Sequence, residues 1–133
     1  MLSRFASIEM VDLPAEPTPD RPSPLEKEAV LKKEALRLEK AIQGFDQVIV
    51  LAVEGKSYTS EGFAAALEPS VKRGQSLCFV IGGSFGLHDE IKKRASWLLS
   101  LSSLTFPHRI SKILLLEQLF RAYKIIHHET YHK

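Results

Sequence analysis

The chain has 133 residues, of which 44% are hydrophobic and 26% charged, the size and composition of one soluble globular domain (1–133) able to bury its own core. No apolar run reaches the ~18 residues of a membrane span, and MLSRFASIEMVDLP lacks the apolar centre and cleavage site of a secretory leader. A single cysteine, Cys78, excludes an intramolecular disulfide and a cysteine-rich zinc site, and it fits a reducing cytoplasm. The net charge of +2 does not announce a nucleic-acid binder, but it is unevenly spread. Residues 1–107 carry 13 basic and 14 acidic side chains; residues 108–133 carry five and two, with four of the five histidines. An anionic partner is expected at that C-terminal fifth.

In chain order, FASIEMVDL alternates as a strand does, with Ala6, Ile8 and Met10 on one face. PAEPTPDRPSP (14–24) holds five of the seven prolines and reads as an extended loop. Ser23, Pro24 and Glu26 supply an N-cap hydroxyl, a first-turn proline and a capping-box carboxylate, so a helix starts there. Its apolar stripe is Leu31, Ala35, Leu38 and Ile42, and Gly44 can end it. Gln47–Val53 is a β-branched run suited to a central strand covered on both faces. A second helix is expected from near Ser60, with Phe63, Leu67 and Val71 on one face and an exit at Gly74. Ser76–Ile81 reads as a buried strand, followed by the glycine turn 82–86 and a charged helix over His88–Ser96. Trp97–Phe106 reads as a short strand or loop, and Pro107 precedes a long helix of roughly Arg109–Ile126 and a polar tail, HHETYHK.

Strands alternating with helices predict an α/β fold with a mostly parallel sheet flanked by helices. Ligands in such folds bind beyond the C-terminal ends of the strands. Three segments fall there: Glu54-Gly55-Lys56, the turn at 82–86, and the stretch around Leu101–His108.

Three chemistries can be weighed at these segments. Gly82-Gly83-Ser84-Phe85-Gly86 matches the nucleophile elbow of a serine hydrolase, with Asp89 and His108 following in the order acid, histidine. Against it, Asp89 falls in the first turn of the next helix, where an acid serves the helix dipole, and no second glycine-rich segment offers an oxyanion donor. Phosphate cradling lacks a Walker lysine and a G-x-G-x-x-G; the glycines suit close backbone approach to a ligand that need not be phosphorylated. Zinc at His128 and His132, with His127 alongside, lacks a dependable third ligand, so no metal is expected. Cys78 reads as an inert small hydrophobe, and Trp97, Leu98, Leu99, Leu101 and Leu114–Leu116 as core or dimer contact.

FVIGGSFGLHDEI, LSLSSLTFPHRISKILLLEQLFRAYKI and the terminal YHK together resemble the RlmH family of small bacterial methyltransferases in the SPOUT superfamily, and IVLAVEGKSYTSEGFA resembles that family's preceding strand and turn. The resemblance is specific over roughly residues 47–133 and loose over 5–46. It implies a C-terminal trefoil knot, against the general prior for unknotted chains. It also implies S-adenosylmethionine as methyl donor and N3 of a pseudouridine in 23S rRNA of the assembled ribosome as acceptor, in a homodimer whose site draws on both chains. By position, the implied cofactor residues are Leu51, Gly82, Leu101, Ser102, Ser103, Leu104, Thr105 and Phe106. His108, Arg121, Tyr131 and His132 are the implied catalytic candidates, and Arg109 and Lys133 the implied RNA contacts. The alternatives are a small serine esterase built on Ser84 and an RNA-binding module without turnover. Family members usually begin with a further strand and helix before the equivalent of FASIEMVDLP. A chain that starts at that strand is expected to expose a sheet edge and lose stability more than cofactor binding.

Overall fold

Ser23 starts the first helix of the computed structural model, which describes residues 20–82 and 86–127. Its hydroxyl accepts from the Glu26 amide at 3.2 Å while the Glu26 carboxylate accepts from the Ser23 amide at 2.9 Å, closing the capping box of α1 (Pro24–Ile42). The expected first strand, residues 14–19 of the proline-rich loop, Ser84 and the tail from His128 lie outside the described residues.

After α1 come β1 (Gln47–Lys56), α2 (Ser60–Lys72), β2 (Leu77–Val80), α3 (Asp89–Arg94), β3 (Trp97–Leu99) and α4 (His108–Ile126). Thr59 caps α2 by accepting from the Gly62 amide at 2.9 Å, and the left-handed Gly44 and Gly74 turn the chain after α1 and α2. The sheet order is β2-β1-β3, with both pairings parallel: Gln47–Val50 against Leu77–Val80, and Ile49–Leu51 against Trp97–Leu99. The α/β class with a parallel sheet between helices is therefore as the alternation predicted.

The strand period of two sorts the core into two layers. Ile49 and Leu99 face α2 and α4, meeting Phe63, Ala64, Leu67, Leu115, Leu119 and Ala122. Val48, Val50 and Val80 face α1 and α3, meeting Ala35, Ile42 and Ile91. Ile49, Val50, Leu67 and Ile91 are completely buried, each contributing roughly 1.5–3 kcal/mol of burial energy. Side-chain bonds lock the N-terminal ends of the strands: the Val48 amide donates to Ser96 Oγ at 3.0 Å, and Ser76 and Asp46 exchange bonds at 3.0 and 2.8 Å. Among the described residues no helix is long and apolar enough to cross a membrane.

α3 is shorter than the helix read over His88–Ser96, β1 is longer than read, and the stretch Trp97–Phe106, read as short strand or loop, is one followed by the other. β1 runs on to Lys56 instead of stopping at Val53, because both Leu51 and Lys56 align with Leu99, so residues 52–55 bulge from the ladder and return. Gly55 permits that return: a Cβ there would lie 2.7 Å from the Leu98 carbonyl carbon. In the third strand only Trp97–Leu99 is ladder. Beyond it Ser100 is buried, its amide donating to the Lys56 carbonyl at 2.9 Å, and the Ser102 hydroxyl turns the chain by accepting from the Leu104 amide at 3.0 Å.

Candidate active site

Beyond the C-terminal ends of the three parallel strands, the bulge of β1, the residues after β2 and the residues after β3 enclose a cleft of about 230 Å3. Leu51, Ile81, Leu87 and Leu99 give it apolar walls. Leu101, Ser102, Leu104, Thr105 and Phe106 supply the side off the ladder, with Ser111 from α4 beside them. Such a concave site at strand termini, with apolar walls and polar groups among them, suits a small organic ligand.

Gly82 packs closely against Gly86 and Leu87. A Cβ on it would lie 2.9 Å from the carbonyl carbon and oxygen of Gly86 and from Leu87 Cγ, and Gly86 itself has φ +80°. The Gly82 carbonyl oxygen accepts from His108 Nδ1 at 3.2 Å, tying the glycine turn to the first residue of α4. A carbonyl can only accept, so Nδ1 is the donor in this contact. The start of α3 is tied to α1 by its N-cap His88: its Nδ1 accepts from the Glu90 amide at 3.1 Å and its Nε2 donates to Glu28 of α1 at 3.0 Å.

Glu54 and Lys92 bring charge to the cleft, their side chains joined at 2.7 Å. The hydrogen bond from Lys92 holds the Glu54 carboxyl below the usual carboxylate range. Cys78, half-buried on β2, has its thiol pushed up by burial, as an inert core cysteine does.

The structure therefore places Leu51, Gly82, Leu101, Ser102, Leu104, Thr105 and Phe106 on one cleft, and His108 against it through Gly82. Ser103 is exposed and does not line the cleft. Arg109 is exposed one residue along α4 from His108. Arg121 lies ~20 Å further along the helix axis at about 1.5 Å per residue, where it pairs with Glu117 one turn back. Tyr131, His132, Lys133 and Ser84 lie outside the described residues, and Asp89 is an exposed residue of the first turn of α3. Sequence reasoning missed Lys92 and Ser111 altogether. Glu54 was legible only as part of the segment Glu54-Gly55-Lys56, since its partner is 38 residues away.

A parallel sheet between helices, with Gly82 and a non-ladder segment beside a cleft at the strand ends, defines an α/β protein with a candidate small-molecule site. Over residues 1–132 the chain matches the model of the family described as "Predicted SPOUT methyltransferase". It is 46% identical to "Ribosomal RNA large subunit methyltransferase H" of Streptococcus suis, 45% to that of Streptococcus thermophilus and 44% to that of Ruminiclostridium cellulolyticum, each alignment covering 99% of this chain and 84% of the relative. The chain belongs to the SPOUT methyltransferase family.

Proposed function

We propose that this chain is an S-adenosylmethionine-dependent enzyme that methylates N3 of a pseudouridine in 23S rRNA of the assembled ribosome. In this reading it acts in the cytoplasm as a homodimer of single-domain chains with the knotted C-terminal segment of its family. The observation that carries the reading is the convergence of Gly82 with Leu101, Ser102, Leu104, Thr105 and Phe106 on one cleft, in a chain whose relatives are named for methylation of large-subunit ribosomal RNA.

The lining fits such a methyl donor. Adenosine offers a flat apolar ring and neutral hydrogen-bonding edges, which call for apolar walls and main-chain partners instead of a phosphate lysine. Leu51, Ile81, Leu87 and Leu99 supply the walls, and residues 101–106 run past the end of the ladder, where main-chain groups can face a ligand. When bound, S-adenosylmethionine supplies a methyl group activated by the adjoining sulfonium. A Cβ at Gly82 would crowd the turn that borders it.

The acceptor, an imide nitrogen, is a poor nucleophile until its proton leaves or positive charge lies close. His108, whose ring meets the Gly82 carbonyl at the cleft, is the candidate in this reading for the group that takes that proton. Tyr131 and His132 are the further candidates at the base, and Arg109 and Lys133 serve phosphate contacts. Arg121 is too far along α4 from His108 to share one chain's cleft, so in this reading it comes from the second protomer. The exposed apolar side chains Leu104, Ile110 and Ile113, around the head of α4, support a subunit contact there.

The test is transfer of labelled methyl from S-adenosylmethionine to ribosomes that lack the modification, with the product nucleoside identified. Label at N3 of a pseudouridine in 23S rRNA is the expected result. Ribosome binding without transfer would make the chain an RNA-binding module, and fluorophosphonate labelling lost in Ser84→Ala would make it an esterase.

A further inference from the structure

We propose that Glu54 and Lys92 form the receptor for the zwitterionic amino-acid end of the methyl donor, Glu54 meeting its ammonium and Lys92 its carboxylate. This rests on reading the cleft as an S-adenosylmethionine site.

The pair joins two different walls of that cleft, the bulge of β1 and helix α3, with Lys92 Nζ 2.7 Å from Glu54 Oε2. Every other described residue that lines the cleft is apolar, glycine or a hydroxyl. The adenosine half of the donor is neutral and suits that lining. The amino-acid half carries one positive and one negative group on a single carbon, and needs one partner of each sign side by side. A lone lysine would favour a phosphate and a lone glutamate a polyamine; an adjoining pair with no net charge favours a zwitterion.

Both side chains are placed to rearrange. The Glu54 side chain is 56% exposed and that of Lys92 27% exposed, and Lys92 follows the completely buried Ile91, which anchors α3 beneath it. A partly exposed ion pair adds little to folding, so its position on the cleft wall is better matched to binding than to holding β1 against α3. The bulge that carries Glu54 out of the ladder also places its carboxylate on the cleft.

Calorimetry of two ligands tests this: S-adenosylhomocysteine, which has the amino-acid end, and 5′-methylthioadenosine, which lacks it. Wild type should bind S-adenosylhomocysteine the more tightly. Glu54→Gln and Lys92→Met should each weaken it by about tenfold or more, the scale of a hydrogen bond to a charged group, and leave 5′-methylthioadenosine within about twofold. Unchanged affinity for S-adenosylhomocysteine in both variants, or equal losses for the two ligands, would overturn the assignment, the second because it marks a merely structural pair. Wild type binding the two ligands equally would overturn the assignment while leaving the cofactor reading intact. Wild type binding neither would remove both.

Discussion

The Gly82 carbonyl and His108 Nδ1, 26 residues apart in the chain, meet at 3.2 Å and join the glycine turn to the head of α4. One imidazole thus braces a wall of the cleft from the first residue of α4. His108→Asn retains a donor near the Gly82 carbonyl but has no basic nitrogen. We expect methyl transfer to fall by about a hundredfold or more, the low end of general-base effects, while affinity for S-adenosylhomocysteine stays within about threefold. Parallel single-turnover and calorimetric measurements separate the two quantities.

Gly82→Ala should act the opposite way, on binding. The added methyl meets main-chain atoms of Gly86 at 2.9 Å and cannot be relieved by turning a side chain. S-Adenosylhomocysteine affinity should drop at least about tenfold, with a lowered thermal midpoint, both read by a thermal-shift titration.

Gly55→Ala should strike the sheet. Its Cβ would lie 2.7–2.9 Å from Leu98 and Leu99 backbone, and overpacking of this kind costs about 1–3 kcal/mol. Urea unfolding should show the loss as a lower midpoint with an unchanged slope.

Arg121 gives a test of assembly. If each site combines His108 of one protomer with Arg121 of the other, inactive H108N and R121A chains refolded together should recover about a quarter of wild-type activity, since half of the dimers are mixed and each mixed dimer has one intact site of two. A site contained in one chain would recover none. Ile113→Glu should shift the protein toward monomer in sedimentation, because Ile113 is 62% exposed on α4.

Alkaline pH should destabilise the fold through Cys78 and Tyr123. Burial raises both above their ordinary values, so the native state holds these protons more tightly than the unfolded chain. Their contribution is complete below the unfolded values and is lost as pH rises through the folded ones, from about pH 8.5 upward for the thiol. Urea unfolding across that range should show the decline, and Cys78→Ala should flatten its first part. In the native protein Cys78 should react slowly with a thiol reagent at pH 8 and quickly in urea.

The sequence made the elements legible where one local force decides. The capping box at Ser23, the β-branched run from Gln47 and the four-residue spacing of Phe63, Leu67 and Val71 each act within a few residues. The glycine turn and the stretch 101–106 were legible as a site because strand ends in a parallel sheet converge. The rest depends on pairings across the chain. Nothing near Val53 tells that β1 continues to Lys56, since its return depends on the Leu98 and Leu99 backbone accepting a residue without Cβ. Nothing near Lys92 points to Glu54, and Arg121 and His108 share a helix whose length separates them. Ser103, inside a run that otherwise lines the cleft, does not line it; it lies between Ser102 and Leu104, which a side-chain bond turns back on each other.

The central place of β1 has a bearing on how the protein is made. Neither of its pairings is closed by a hairpin: Val48 waits for Ser96, 48 residues downstream, and Asp46 for Ser76, 30 residues downstream. A growing polypeptide therefore carries its central strand with one or both edges open from the synthesis of Lys56 until Leu99 has been added, a condition that slows folding and invites aggregation. The nascent chain should be most dependent on chaperones in the interval before β3 emerges.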